Sequence, residues 1–434
     1  MKSIFFLACL CFAIGGSAQQ KILSYDVCVY GGTSAGVIAA YSVAKMGKKV
    51  ILIEPGGHLG GLTSGGLGYT DIGNKYAITG LALNFYRRMG KHYGKFEQWI
   101  FEPHVAEDIF NEYVKNAMVN VLYQYRIIKA KKDNQFIKQI TVESSLSPSG
   151  SSERIIAAKM YIDCSYEGDL MAKAGVSYAV GRESNEVYNE TYDGVQMMQT
   201  HQFPDGVDPY KMPGDSTSGL LWGISSDRLQ DRGHGDKKVQ AFNYRICLTD
   251  DPRNFVPIER PDNYDSTRYE LLVRLFKAQP QKTTLDDYFF FGPMPNRKTD
   301  INNRGGFSTD MIGMNYSYPD ADYNERKKII EDHEDYTKGL LYFCGHDPRV
   351  PRQLKDEMLR YGYPKDEYTY NNNWSPQLYI RESRRMLGMY VMTQNNCEGR
   401  EIVNDGIGMA AYTMDSHNCE RIVFNGMVKN EGDV

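Results

Sequence analysis

Residues 25–54 read YDVCVYGGTSAGVIAAYSVAKMGKKVILIE, and this stretch decides the fold. Residues 26–30 are a short apolar run with β-branched and aromatic members, which predicts a strand. Residues 37–46 carry apolar residues and alanines at helical spacing, and Gly47 is placed to end that helix. A second apolar run at 50–53 ends in the carboxylate of Glu54. The stretch therefore predicts a strand–helix–strand unit with a glycine-rich first turn.

The turn before the helix has the layout of a dinucleotide-binding site. Gly31 and Gly36 match the first and third glycines of G-x-G-x-x-G, whereas Thr33 stands where the second glycine would be. Such a turn brings the backbone close to a pyrophosphate, and the helix N-terminus attracts the phosphates with its free N–H groups and partial positive charge. Glu54, about 20 residues further on, can accept hydrogen bonds from a ribose hydroxyl. We predict that this unit binds a nucleotide.

Two alternatives share these residues. A tight turn in an α/β sheet would carry the same glycines without a ligand. Residues 32–36 also fit G-x-S-x-G, the nucleophile elbow of hydrolases, with Ser34 as nucleophile and His417 and Asp415 as its partners. The oxyanion-hole loop precedes the elbow in that fold, and little chain precedes Ser34, so the hydrolase is disfavoured.

The first 18 residues, MKSIFFLACLCFAIGGSA, predict a secretory signal peptide. Lys2 precedes an apolar core at 4–14, and small residues follow up to Ala18. That core is too short to span a membrane. A lipoprotein site at Cys9 is an alternative, but it would cut the apolar core too early. We therefore predict an exported protein that is periplasmic or extracellular.

Composition disfavours several classes of partner. A net charge of −4 over 434 residues predicts neither a nucleic acid nor an anionic membrane as partner. The cysteines and histidines show no zinc-type spacing, so we predict no metal site. A disulfide between Cys397 and Cys419 is compatible with an oxidising compartment.

The order of further elements predicts the fold class. Apolar periodicity predicts helices at 80–93, 102–120, 322–341 and 350–361, and strands at 119–128, 136–142 and 154–164. Strand, helix, strand, helices, hairpin and strand in this order predict an α/β fold, a doubly wound sheet with an inserted hairpin. Tyr, Asn, Asp and Pro are dense at 181–376, which we interpret as a second region for substrate recognition.

Three further stretches carry candidate site residues. Seven glycines between 56 and 68 predict a loop whose backbone lies against a cofactor, with a flexible surface lid as the alternative. On a helix, Arg381 and Arg385 would share a face and could clamp a carboxylate or the edge of a cofactor ring, and structural ion pairs are the alternative. Asp415 and His417 form a candidate proton-transfer pair, because histidine titrates near neutral pH and a carboxylate can orient it.

With these residues assembled, the chain resembles the secreted FAD-dependent oxidoreductases of bacteria, especially those of polysaccharide-degrading Bacteroidetes. The segments that carry the resemblance are YDVCVYGGTSAGVIAA, HLGGLTSGGLGYTD, FEPHVAEDIF, YIDCSYEGDLMAKAGVSYAVGRES, KTDINN, LYIRESRRMLGMYVMT and DGIGMAAYTMDSHN. They are spread from residue 25 almost to the end of the chain.

The resemblance implies FAD as cofactor and assigns residues to it. With the composition along the chain, we predict a Rossmann-like FAD-binding domain at 24–180, a substrate-side region at 181–376 and a return segment towards the flavin at 377–434. The pyrophosphate would be held by Gly31, Thr33, Ser34, Ala35 and Gly36. Glu54 would hold the adenosine ribose, and the residues beside the phosphates or the ring system would be Gly60, Gly61, Leu62 and Thr63. Ile127 or Ile128 would lie near the adenine, and Asp163 would end a cofactor-side strand.

The family fixes neither the substrate nor the reacting atom. From the strand–helix–strand unit and the family segments together we predict hydride transfer from a small polar, sugar-like substrate to flavin, with His417, Asp415 and Arg381 as candidate catalytic residues. A polysaccharide lyase-type activity and a non-catalytic glycan-binding protein on a flavoprotein fold are the alternatives. Family members continue beyond Val434 with a further glycine-rich segment. We therefore expect that the final FAD-closing segment is missing and that the chain as given holds FAD weakly.

Overall fold

The computed structural model describes residues 22–434, so the predicted signal peptide lies outside the described residues. A six-stranded sheet organises the first region. Its strands are β1 Ile22–Tyr30, β2 Val50–Glu54, β3 Asn120–Tyr123, β4 Tyr125–Asp133, β5 Phe136–Ser144 and β6 Arg154–Asp163. They lie in the order β3-β2-β1-β6-β5-β4, with the first four parallel and β5 and β4 antiparallel. The α/β sheet with an inserted hairpin is confirmed.

The predicted strand–helix–strand unit forms the centre of this sheet. Cys28, Val29 and Tyr30 of β1 are buried, as expected for a parallel strand that is covered on both faces. Helix α1 spans Ser34–Lys45 and returns the chain to β2. The chain leaves the helix through Gly47, whose φ of 71° is a left-handed conformation that glycine adopts without strain.

Helices cover both faces of the sheet. On one face, α2 (Gly80–His92) and α3 (Pro103–Asn116) pack with α1 through an apolar cluster that includes Val37, Phe85 and Phe110. On the other face, Leu170 of α4 (Asp169–Lys173) packs against residues of β1 and β4, including Tyr30 and Ile127. The sheet is therefore doubly wound, as predicted.

The second region combines one long helix, three shorter helices and small antiparallel sheets. Its helices are α5 Glu270–Ala278, α6 Tyr323–His346, α7 Arg352–Met358 and α8 Gln394–Cys397. Its strands are β7 Tyr178–Ala179, β8 Tyr210–Met212, β9 Asp215–Leu220, β10 Ile246–Thr249, β11 Phe255–Val256, β12 Phe289–Met294, β13 Lys298–Asn303, β14 Tyr363–Pro364, β15 Arg385–Met386, β16 Glu420–Phe424 and β17 Met427–Glu431. The largest sheet here is β10-β13-β12. Leu378, Ile380 and Val428 belong to the same apolar core as α5 and α6, so the last segment of the chain packs into this region.

Residues 377–393 do not form the helix on which Arg381 and Arg385 would share a face. The backbone instead pairs with distant segments: Tyr379 N donates to Asn243 O at 2.8 Å, and Leu387 N donates to Ser177 O at 3.0 Å. These long-range bonds replace the hydrogen bonds that a helix would make within itself. The helical geometry proposed for the two arginines is therefore wrong.

Two findings concern the cysteines and the membrane. Cys397 is exposed, Cys419 is buried, and both are free thiols. Within residues 22–434, none of the helices combines the length and the apolar character that crossing a bilayer requires.

Candidate functional site

A cavity of about 270 Å³ opens between the β1–α1 turn, the loop after β2 and residues 376–380. It lies at the carboxyl ends of the parallel strands, where open α/β sheets bind their ligands. The residues that line it include Gly31, Thr33, Glu54, His58, Gly61, Tyr166, Glu167, Gln377 and Ile380. Four of the residues predicted to bind the cofactor, Gly31, Thr33, Glu54 and Gly61, are thus in one place.

Glu54 presents a buried carboxylate to this cavity. Its two oxygens accept hydrogen bonds from Gly32 N and Gly56 N, each at 2.5 Å. Burial raises the pKa of Glu54 to about 7, although both backbone hydrogen bonds favour the ionised form. Each carboxylate oxygen has a second lone pair, so Glu54 can still accept a hydroxyl hydrogen bond from a ligand.

The β1–α1 turn offers amide donors at the same cavity. Thr33 Oγ1 donates to Cys164 O at 2.9 Å and accepts from Gly36 N at 3.3 Å, so this hydroxyl caps the helix and is already engaged. The amides of Ser34 and Ala35, in the first turn of α1, have no partner within the helix. Gly31 has a φ of 96°, and a Cβ there would lie 2.6 Å from Ser165 N, so only glycine is accommodated.

The glycine-rich loop is held against the first region. Gly60 has a φ of 105°, and a Cβ at this position would lie 2.5 Å from the Phe110 ring. The amide of Leu62 donates to the Tyr166 hydroxyl at 2.8 Å. Leu62 is buried and Thr63 is half-buried in the short turn that follows Gly60. The loop is therefore a packed element, and its Gly61 lines the cavity.

Three residues considered for the cofactor, Ile127, Ile128 and Asp163, do not line this cavity. Ile128 is half-buried on β4 and lies outside the cavity, and Ile127 is buried in the core beneath the sheet. Asp163 ends β6, but its carboxylate accepts hydrogen bonds from Ser165 N, Ser165 Oγ and Met171 N at 2.6–3.0 Å. Asp163 therefore holds the turn into α4.

A second polar cluster joins Arg381 and His417 through Asp310. Asp310 Oδ1 accepts from Arg381 Nη2 at 2.9 Å, and Asp310 Oδ2 lies 2.8 Å from His417 Nδ1. All three side chains are at least nine-tenths buried. Burial alone would raise the pKa of Asp310, but Arg381 and His417 outweigh it and hold that pKa well below its usual range. Asp310 is therefore an anion that fixes both partners.

The partner of His417 differs from the predicted one. Asp415 is exposed and acts on His417 only through its charge, whereas Asp310 makes the hydrogen bond. Burial lowers the pKa of His417, and the positive charge of Arg381 lowers it further. The Asp310 carboxylate raises this pKa, but by less than burial and Arg381 together lower it. His417 is consequently neutral at pH 7. With its Nδ1 proton donated to Asp310, the lone pair of Nε2 is left to accept a proton.

Arg381 and Arg385 bind different carboxylates. Arg385 Nη2 contacts both oxygens of Glu183, at 2.9 and 2.8 Å. The neighbouring Arg384 pairs with Asp169 at 2.8 Å. The alternative of structural ion pairs therefore describes this arginine-rich stretch better than a shared clamp.

His201 forms a second histidine–carboxylate pair beside His417. The two rings are nearly parallel, with centroids 6.2 Å apart, and His201 Nδ1 lies 3.1 Å from Asp433 Oδ2. The hydrogen bond with Asp433 raises the pKa of His201, against the effect of burial. Its φ of 45° is rare for a residue with a side chain, and such conformations cluster at functional sites.

Sequence reasoning did not identify four of these residues: His58, Tyr166, His201 and Asp310. Asp310 is 71 residues from Arg381 and 107 residues from His417, so no local spacing marks the group. Tyr166 and His58 lie inside the segments that carry the family resemblance. A polar side chain close to glycines was the sequence signal that could have identified these two residues.

The cavity fits the ADP half of FAD. It combines a carboxylate for ribose hydroxyls, amide donors at a helix N-terminus for phosphates, and a turn in which Gly31 allows close backbone packing.

Comparisons with solved structures give low similarity. The THI4 protein of Thermovibrio ammonificans is 19% identical with a TM-score of 0.29, over 37% of this chain and 66% of that chain. A geranylgeranyl bacteriochlorophyll reductase-like protein of Thermoplasma acidophilum is 20% identical with a TM-score of 0.27, over 36% and 43% of the two chains. L-proline dehydrogenase from P. horikoshii is 13% identical with a TM-score of 0.28, over 38% and 59%. The chain thus spans less than two thirds of the length of each of these proteins.

Curated proteins give no match. The family described as FAD dependent oxidoreductase matches residues 26–434, which is almost the whole chain. This protein therefore belongs to the FAD-dependent oxidoreductase family.

Proposed function

We propose that this protein oxidises a small polar, sugar-like substrate and that His417 accepts the substrate proton. The observation that carries the proposal is the buried Arg381–Asp310–His417 cluster, in which Asp310 fixes the ring of His417. FAD, when bound, supplies the hydride acceptor. The protein's own part is to bind the substrate, exclude water and move the proton.

Neutral His417 is suited to act as a base. Its Nδ1 proton is directed to Asp310, and the Asp310 carboxylate stabilises the imidazolium that forms once Nε2 takes up a proton. Arg381 keeps Asp310 ionised and is a positioning residue. Arg381 directly follows Ile380 in the chain, and Ile380 lines the same cavity as Glu54. The nucleotide cavity and the His417 cluster are therefore joined by two adjacent residues.

His201 complements His417 as a hydrogen-bond donor. Its raised pKa favours the protonated form, while the lowered pKa of His417 favours the neutral form. Two neighbouring groups whose pKa values are driven apart are suited to act as acid and base. A substrate hydroxyl could lose its proton to His417 while His201 donates to a neighbouring substrate oxygen.

The charges around this cluster support a neutral, hydroxylated substrate rather than an anion. Asp71 and Asp415 act electrostatically on each other and on His417, and both are exposed. Carboxylates accept hydrogen bonds from sugar hydroxyls but repel an anionic substrate. Export, proposed from residues 1–18 alone, is compatible with such a substrate.

The test is flavin reduction by candidate substrates. FAD-loaded protein is mixed anaerobically with a panel of neutral sugars and uronic acids, and loss of flavin absorbance is followed. We expect bleaching by a neutral sugar. If the whole panel leaves the absorbance unchanged, the sugar-like class is wrong. An unsaturated product formed without bleaching would favour the lyase alternative.

His417→Gln and Asp310→Asn test the role of the cluster with the substrate so identified. We expect His417→Gln to slow flavin reduction by about 10²- to 10⁴-fold while FAD stays bound. In the wild type, the rate of flavin reduction should fall as the pH is lowered, with an apparent pKa below the ordinary histidine value. The His417→Gln variant should lose this pH dependence. His346→Gln is the matched control, since His346 is exposed on α6. Equal rates in wild type and His417→Gln would return His417 to a structural role.

A further inference from the structure

We propose that FAD binding to the cavity takes up a proton from the solvent, and that the carboxylate pair of Glu54 and Glu167 holds this proton. The inference rests on the proposed function, in which FAD occupies this cavity, and deepens it by stating how pH regulates that occupancy. It follows from the charges that surround the cavity.

The cavity contains two carboxylates and no full positive charge. Glu54 and Glu167 both line it, and none of the described residues that line it is a lysine or an arginine. His58 also lines it but is neutral at pH 7, because burial lowers its pKa to about 4. The nearby hydroxyls of Tyr123 and Tyr166 have raised pKa values and are neutral as well. The N-terminus of α1 supplies only a partial positive charge, so a bound pyrophosphate would face two carboxylates without a compensating cation.

The cations nearest to the pair already have partners. Arg326 Nη1 and Arg384 Nη1 each lie 2.8 Å from an oxygen of Asp169, and neither arginine lines the cavity. Glu167 accepts a hydrogen bond from the Tyr318 hydroxyl at 3.0 Å, and it makes no ion pair within the part of the chain that the structure describes. Asp169 therefore takes both guanidinium groups, and Glu167 is left without a cation of its own.

The two carboxylates are already difficult to ionise in the free protein. Burial, together with the charge of Glu167, raises the pKa of Glu54 to about 7. Burial and the charge of Asp169 raise the pKa of Glu167 and outweigh the effect of Arg326. A bound anion would disfavour the ionised carboxylates further, and a poorly hydrated cavity strengthens this repulsion. A proton therefore enters as FAD enters, and because the two groups interact it belongs to the pair.

This coupling fixes the sign of the pH dependence. At a pH where the free pair already holds the proton, FAD affinity should not change with pH. At higher pH the proton has to be taken from the solvent, so the Kd for FAD should rise by up to about tenfold per pH unit. FAD is the suitable probe because both of its phosphates are diesters and keep their charge over this range.

Calorimetric titration of flavin-free protein with FAD, in buffers of different ionisation enthalpy, counts the protons taken up. At about pH 8, above the pKa of about 7 of Glu54, we expect close to one proton per FAD in the wild type. The double variant Glu54→Gln/Glu167→Gln carries neutral amides and should take up almost none. Its Kd should change by less than about 2-fold between about pH 8 and about pH 9, where the wild type should lose about tenfold. ADP-ribose, which keeps the pyrophosphate and lacks the flavin, should behave as FAD does.

Glu382→Gln is the matched control. Burial raises the pKa of Glu382 as well, and its carboxylate accepts a hydrogen bond from Gln240 N at 2.9 Å, but it lies outside the cavity. This variant should take up as many protons as the wild type. Should the double variant not fold, Glu167→Gln alone should reduce the uptake, and the wild-type titration decides the main point by itself.

The outcomes separate this inference from the proposed function. If the wild type does not bind FAD at any pH, the proposed function fails. If it binds FAD without proton uptake and with the same Kd at all pH values, only the proton coupling is overturned. Equal uptake in the double variant would also overturn it, because another group would then take the proton. The same holds if binding at about pH 8 requires Mg²⁺ and is abolished by EDTA without proton uptake, since a metal cation would then compensate the charges.

Discussion

Among single residues, Glu54 has opposed effects on stability and ligand binding. Burial raises its pKa from 4.5 to about 7. Between these values the folded chain holds a proton that the unfolded chain has released, so the free energy of unfolding falls as pH rises from 4.5 to 7 and levels off above it. Glu54→Gln removes this dependence. Measured by urea denaturation, its stability relative to wild type should rise by about 1–3 kcal/mol between about pH 5 and about pH 8.

Glu331→Gln is the control for this pH dependence, because Glu331 is exposed on α6 and its substitution should change stability by less than about 0.5 kcal/mol. A pH-independent difference between Glu54→Gln and wild type would contradict the raised pKa of Glu54.

The same carboxylate should matter in the opposite direction for FAD. Glu54→Ala removes an acceptor for a ribose hydroxyl and the partner of two amides, so we expect FAD binding to weaken by about 1–3 kcal/mol. Fluorescence titration with FAD measures this change. Unchanged affinity would remove Glu54 from the binding site.

The residues of the site differ in how far they could be predicted. Glu54 and the turn glycines follow from one local pattern, because strand, turn and helix fix their mutual positions within 30 residues of sequence. Arg381 and His417 were recognisable as polar residues in a charged setting. Their common partner Asp310 was not, since its place depends on long-range packing of the second region.

At the level of elements, apolar periodicity predicted the helices and strands of the first region well and those at the end of the chain poorly. β1, α1 and β2 have strong apolar patterns and satisfy their hydrogen bonds locally or with adjacent strands. Residues 377–393 have helix-compatible spacing, but their amides bond to Asn243 and Ser177. Tertiary contacts therefore overrode local preference, which spacing alone does not reveal.

Thr33 tests how the missing second glycine is accommodated. Its hydroxyl caps α1 and also ties the turn to Cys164. Thr33→Val, which removes both hydrogen bonds at nearly constant volume, should destabilise the protein by about 1–2 kcal/mol in thermal or urea unfolding. Thr33→Ser keeps the hydroxyl and should stay within about 0.5 kcal/mol. A larger loss for Thr33→Ser than for Thr33→Val would show that the methyl group, not the hydroxyl, matters.

Across the whole molecule, a buried ion network connects the two regions. Lys298 on β13 is fully buried, and its Nζ lies 2.7 Å from Glu102, 2.7 Å from Glu367 and 2.9 Å from Asp366. Glu102 directly precedes α3 of the first region, whereas Glu367 and Asp366 belong to the second. His104 Nδ1 adds a contact with Glu367 at 2.7 Å. Opening the regions would expose an ammonium and leave these carboxylates without their partner.

Lys298→Met should therefore destabilise the whole chain. Methionine fills a similar volume but leaves Glu102 and Glu367 as buried charges, and breaking such a network costs about 3–5 kcal/mol. Urea unfolding followed by both tryptophan fluorescence and circular dichroism measures the loss. Lys327→Met, which removes an exposed ion pair on α6, should change stability by less than about 1 kcal/mol.

Adding Glu102→Gln and Glu367→Gln to Lys298→Met should recover part of the loss, because the uncompensated charges are then gone. A loss below about 1 kcal/mol for Lys298→Met would mean that water or a rearranged partner compensates the carboxylates, and that the network does not join the regions energetically.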